Sequence, residues 1–257
     1  LPSHAQSSKV AQSIVMKFAS LATLVLTLSA LSGGQLAATE KAAAVDSLAK
    51  AMSERYVDKA KAEQVAATIK QNLKSGKYND AATGEAFAKA LSDRINEICK
   101  DAHLRVRYSA TPLPARRVNS EPSPDEIRDR EEQLRAINAG FEEVKRLSGN
   151  VGYIRFNMFA DPESASRPMK AAMQFVNNTD ALIFDVRGNG GGSPETVRQL
   201  CSYLFAESTH VNSLIFREGD NMRTVDFKTT VLEKSEQYTK PVYVLVSKRT
   251  GSGAEEF

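Results

Sequence analysis

The sequence contains no tryptophan, 2 cysteines and 3 histidines in 257 residues, and these scarcities narrow its chemistry before any motif is considered. Two thiols far apart in the chain, Cys99 and Cys201, can supply at most one disulfide, so a stapled scaffold is excluded. No His/Cys cluster or carboxylate pair has metal-ligand spacing, and neither a metal nor another cofactor is expected. Charge of one sign is also missing. The 34 basic and 31 acidic side chains leave a net charge of +3 with no basic block, so nucleic acid is not expected as a partner. No apolar run reaches the roughly 20 residues that span a bilayer.

What is present begins with Met16-Lys17, the apolar stretch from Phe18 to Leu31 and the small residues Ala37 and Ala38. This order reads as an export signal over 16–38, removed near Ala38 and leaving no stable membrane association. No cysteine follows the stretch to take a lipid, so a periplasmic or extracellular destination is expected. Residues 1–15 precede the natural-looking start and read as upstream or vector-derived sequence. The run Leu31-Ser32-Gly33-Gly34-Gln35 spells a transport-ATPase signature, but no glycine-rich loop ends in Gly-Lys-Ser or Gly-Lys-Thr to bind a nucleotide.

With 42% apolar residues the chain can bury a substantial core. Over 40–110 the apolar positions recur at helical steps: Val45, Leu48, Ala49 and Met52, then Val65, Ile69 and Leu73, then Phe87, Leu91, Ile95 and Ile98. A small N-terminal helical domain is expected there, closing with a short strand over His103–Tyr108. Four prolines between 111 and 124 mark a linker. Ser123, Pro124 and Glu126 form a capping signature for a helix expected to run to about Leu147. Beyond it, strands around Val151–Phe156, Ala181–Val186 and Pro241–Val246 alternate with helices over Ser164–Asn177 and from Pro194, which makes 125–257 an α/β domain with a largely parallel sheet.

Two elements carry chemistry. Asp185-Val186-Arg187-Gly188-Asn189-Gly190-Gly191-Gly192 is a glycine-rich turn from a buried strand into a capped helix, where backbone N–H groups can face an anion or a developing oxyanion. By itself it also suits a tight turn needing unusual dihedrals. Thr250-Gly251-Ser252-Gly253-Ala254-Glu255 again follows a strand, with small neighbours that leave Ser252 approachable. A serine at such a position is ordinarily just a helix cap.

Together the two elements resemble the tail-specific, or C-terminal processing, serine peptidases, in the branch that includes the tricorn core and the interphotoreceptor retinoid-binding protein modules. The family pattern Asp-Leu-Arg-x-Asn-x-Gly-Gly is met at Asp185–Gly192, and Thr-x-Ser-Ala-x-Glu at Thr250–Glu255. The segments Glu54–Asp58 and Asp101–Val106 extend the similarity over nearly everything after the signal. The resemblance implies a ClpP/crotonase-like mixed sheet with helices, preceded by the small helical domain, and hydrolysis of peptide or protein substrates. It implies Ser252 as acyl-forming nucleophile and an oxyanion hole from the N–H groups of Gly253 and Gly191. The general base is His103 or a lysine beyond Phe257, and the resemblance implies that the fold and site are incomplete at the C-terminus. The space between linker and sheet is too short for a PDZ module. A noncatalytic module of the same fold that binds hydrophobic ligands is the alternative.

Overall fold

The computed structural model describes residues 15–16, 36–101, 103–110 and 122–257, which fall into two compact units. Most of the expected export signal, residues 1–14 and nearly all of the proline-rich linker lie outside the described residues. Val15–Met16 form a two-residue strand, β1, beside the strand His210–Glu218 in a three-stranded sheet.

The helical unit is built on α1 (Ala38–Arg55), α2 (Lys59–Lys74) and α3 (Gly84–Cys99). The apolar steps read from the sequence become its core, with Val45, Leu48, Val65, Ile69, Phe87, Leu91 and Ile95 buried. Helix starts fall where side chains satisfy the first N–H groups. Asp58 Oδ1 accepts from the Lys61 N–H at 3.1 Å, and Thr83 Oγ1 from the Ala86 N–H at 3.2 Å. Leu36, just before α1, is buried in the same core, and its N–H donates to the Ala82 carbonyl at 2.9 Å. The expected strand at His103–Tyr108 is instead a turn and an extended segment with a single bridge residue at Arg107. The Asp101 carboxylate takes the His103 N–H and the Asp101 carbonyl takes that of Leu104, which bends the chain away from strand pairing.

Residues 214–224 pack with this unit although they lie far along the chain. They are the tip of a hairpin of β5 (His210–Glu218) and β6 (Asn221–Lys228). Ile215 rests on the helical core, Arg217 Nη1 donates to the Tyr56 carbonyl at 2.9 Å, and Lys59 pairs with Asp220 at 3.2 Å.

The second unit, formed by the described residues of 121–213 and 225–257, centres on a four-stranded sheet in the order β2-β3-β4-β7. β2 (Phe141–Leu147) runs antiparallel to β3 (Val151–Phe156), whereas β3, β4 (Ala181–Asp185) and β7 (Val242–Leu245) are mutually parallel. The helix from Pro124 is shorter than expected. α4 (Pro124–Ala136) ends before Asn138, Ala139 and Gly140, all at positive φ, and Phe141–Leu147 is a strand. Phe141 and Val144 suited a helical face, but pairing with Phe156 and Ile154 across β3 claimed them. α5 (Pro162–Val176) and α6 (Pro194–Ser202) bury Met169, Met173, Val176, Val197 and Leu200 against Ile154, Phe156, Leu182 and Phe184. The chain ends in the short helix α7 (Gly253–Glu256). Because β4 and β7 are parallel and in register, with Asp185 beside Leu245, the loops leaving their carboxyl ends emerge side by side.

Candidate active site

The two motif loops are stitched together by polar side chains that the fold has buried. Asn189, with no exposed surface, donates from Nδ2 to the Phe156 carbonyl at 3.3 Å, and its Oδ1 accepts the Gly191 N–H at 2.8 Å. Its backbone carbonyl accepts the Gly251 N–H at 3.1 Å, so one residue ties the glycine turn to the loop that carries Ser252. From the other side Thr250 Oγ1 donates to the Val186 carbonyl at 2.9 Å and accepts the Ser247 N–H at 2.9 Å. Ser247 Oγ donates to the Arg187 carbonyl at 2.6 Å. The buried side chains of Asn189 and Thr250 are satisfied by backbone groups, which is what makes their burial tolerable.

Glycine is required at two points of the turn. Gly192 has φ +146, and a Cβ there would lie 2.0 Å from the Phe159 carbonyl oxygen, to which Ser193 donates at 2.8 Å. Gly191 has φ +93, and its Cβ would lie 2.6 Å from both the Gly251 oxygen and the Gly253 nitrogen. The missing side chain lets the turn press against the backbone on both sides of Ser252.

Ser252 holds φ 53 and ψ −128, a backbone region that non-glycine residues rarely occupy. Such strain costs of order 1–3 kcal/mol and persists only where surrounding contacts impose it. The capping of α7 is done by Glu255, whose Oε2 accepts the Ser252 N–H at 2.9 Å, and no hydrogen bond engages Ser252 Oγ among the described residues. The serine therefore occupies the cap position without using its hydroxyl as the cap. It is half-buried, and Gly253 beside it is buried.

At the foot of the glycine turn the buried Asp185 carboxylate accepts from Arg187 Nε at 2.9 Å, Arg187 Nη2 at 2.6 Å and Tyr153 Oη at 2.6 Å. The guanidinium holds the Asp185 carboxyl well below the usual carboxylate range, while burial and the adjacent carboxylate raise the Tyr153 phenol. The Asp and Arg of the motif thus brace the turn.

Of the four residues singled out from the sequence, the structure brings Ser252, Gly191 and Gly253 together in the sheet unit. His103 belongs to the helical unit, where its Nδ1 and its backbone N each lie 2.9 Å from Asp101 Oδ1. Asn189, Thr250 and Tyr153 were not singled out as site residues. The first two lie inside the motifs, and their polarity amid small and apolar neighbours was the available signal; Tyr153 reaches Asp185 only through strand pairing. The two cysteines are buried free thiols, and burial pushes that of Cys201 up to about 12. Among the described residues no helix is long and apolar enough to cross a membrane.

Comparison with known proteins matches two consecutive segments of the chain. Residues 150–257 match the model of peptidase family S41, and residues 37–142 match the N-terminal domain of peptidase S41 in eukaryotic IRBP. The chain belongs to peptidase family S41. More particularly, the segment that holds α1, α2, α3 and α4 matches the N-terminal domain of the IRBP type. Among solved structures, a Parabacteroides merdae protein assigned as a peptidase is 20% identical, covering 49% of this chain and 43% of its own at a TM-score of 0.37. The photosystem II D1 C-terminal processing protease is 23% identical over 41% of this chain and 26% of its own, with a TM-score of 0.34. A lipoprotein from Streptococcus agalactiae is 14% identical over 85% of this chain and 70% of its own, with a TM-score of 0.36. The chain spans less than half the length of the first two.

Proposed function

We propose that the chain carries the nucleophile of a serine endopeptidase that hydrolyses peptide bonds of exported polypeptides through an acyl-enzyme on Ser252. The observation that carries this reading is the conformation of Ser252: a strained backbone presents a hydroxyl that takes no part in capping its helix, against a turn of three glycines. In the proposed step Oγ attacks the scissile carbonyl and passes its proton to His103 or to a lysine outside this sequence, and the leaving amine takes a proton back before water releases the acyl group.

The Gly253 N–H is the first oxyanion donor. The second falls to the glycine turn. Gly191 can serve only by giving up its bond to Asn189 Oδ1, whereas the Gly192 nitrogen, 3.4 Å from where a Cβ on Gly253 would sit, requires no such exchange. Each such donor is worth roughly 3–4 kcal/mol of transition-state stabilisation.

Intact-mass analysis of the full-length protein after exposure to a fluorophosphonate tests the reading. One adduct is expected on wild type and none on Ser252→Ala; a folded wild type that takes no adduct overturns it. One observation favours a second reading, a hydrophobic-ligand module. An open cavity of about 710 Å³ in the sheet unit is lined by Leu134, Phe141, Val144, Ala172 and Phe175, with Arg135 and Arg167 also on its wall. Saturable binding of an apolar fluorophore by a wild type that does not label would favour that reading.

A further inference from the structure

His103 follows α3 by a sharp turn. Lys100, at φ 52, ends the helix, and the Asp101 side chain then folds over the turn so that Oδ1 lies 2.9 Å from both the His103 backbone N and ring Nδ1. The other carboxylate oxygen faces the hydroxyl of the buried Tyr56 at 3.5 Å. The Asp101 side chain is 16% exposed and the imidazole 42% exposed, so the carboxylate is shielded while the ring reaches solvent.

A carboxylate accepts hydrogen bonds and does not donate them. At 2.9 Å the ring nitrogen facing it must therefore be the one that carries hydrogen. In a neutral imidazole that leaves the lone pair on Nε2. The backbone N–H to the same oxygen fixes the carboxylate relative to the ring, because both bonds must be met by one atom. We propose that Asp101 is the positioning residue of His103, holding the imidazole in its Nδ1–H tautomer so that Nε2 is the nitrogen able to take a proton. This rests on the reading of His103 as general base but is decided by a separate observable.

The test is nitrogen-15 NMR of the His103 ring in the full-length protein, assigned with His103→Gln, together with the rate of fluorophosphonate labelling. Wild type is expected to show the Nδ1–H form near neutral pH. In Asp101→Asn the amide can present an N–H to Nδ1, and the ring is expected to convert to the Nε2–H form. Labelling of Ser252 should then slow by about 100-fold or more, with the thermal midpoint little changed. A wild-type ring in the Nε2–H form overturns the proposal, and so does an unchanged tautomer in Asp101→Asn. Equal labelling rates in the two proteins overturn the positioning role. If wild type does not label at all, the peptidase reading fails and the wild-type tautomer alone decides this inference, as it also does should Asp101→Asn not fold.

Discussion

The two units hold their candidate functional groups in opposite ways. In the helical unit the three helices meet through apolar side chains, with Lys41 and Asn72 buried beside Tyr78, and His103 is set by one local turn. In the sheet unit the groups around Ser252 are held by buried polar side chains, Asn189, Thr250 and Asp185, each bonded to a segment distant in sequence. A local turn can be altered without cost to its domain, because few contacts depend on it. A loop whose shape is imposed by buried hydrogen bonds cannot, since every bond removed leaves an unpaired partner in a dry place. Fold and site should therefore separate under mutation in the helical unit and fail together in the sheet unit.

The sharpest break is expected at Gly192→Ala. The added methyl would meet backbone on Phe159 at 2.0 Å, with no flexible side chain to yield. A loss of at least about 3 kcal/mol is expected in denaturant unfolding, together with loss of labelling. A stable, labelled Gly192→Ala protein would show that the turn is not over-determined.

Asp185→Asn comes next, at about 1.5–3 kcal/mol, the range for hydrogen bonds to a charged group. It also carries a sign. Because Arg187 depresses the folded-state pKa of Asp185, this contribution is present above the unfolded carboxylate value of about 4 and is lost as pH falls toward the folded value. The stability difference between wild type and Asp185→Asn should accordingly shrink between pH 6 and pH 3 in urea titrations. A constant difference would mean that the charge is not what braces the turn.

Smallest in stability, at about 1–2 kcal/mol, is Thr250→Val, which preserves shape but leaves the Ser247 N–H and the Val186 carbonyl without their shared partner. Its labelling rate should fall together with its stability. Asp101→Asn is the counterpart in the other unit, where reactivity is expected to fall alone.

The same contrast governs what the sequence disclosed. The three helices of the first unit were legible because one-sided burial writes a repeat of three and four residues into the chain, as at Val65, Ile69 and Leu73. The helix expected to reach Leu147 failed because Ile137, Phe141 and Val144 satisfy that spacing by coincidence. Only the turn at Asn138–Gly140 and partners on β3 distinguish the two states, and the partners are remote in sequence. The strand expected at His103 failed for a local reason, since alternation does not register that the Asp101 side chain captures a backbone N–H. At the site, the motifs and the resemblance they carry pointed to Ser252 and the glycines, but which atoms are already committed could not be read. That Glu255 relieves Ser252 of capping, and that Asn189 occupies the Gly191 N–H, are facts of geometry.

The backbone of Ser252 places two demands on one codon. At φ 53 and ψ −128 conformational thermodynamics favours glycine, whereas nucleophilic chemistry requires an oxygen that glycine does not have. Selection for heat resistance alone would drift toward glycine there and remove the proposed nucleophile while the protein became more robust. A library ranked by survival and the same library ranked by reactivity would thus order serine and glycine oppositely at this position, so that a thermostability screen, run blind, would discard the proposed nucleophile.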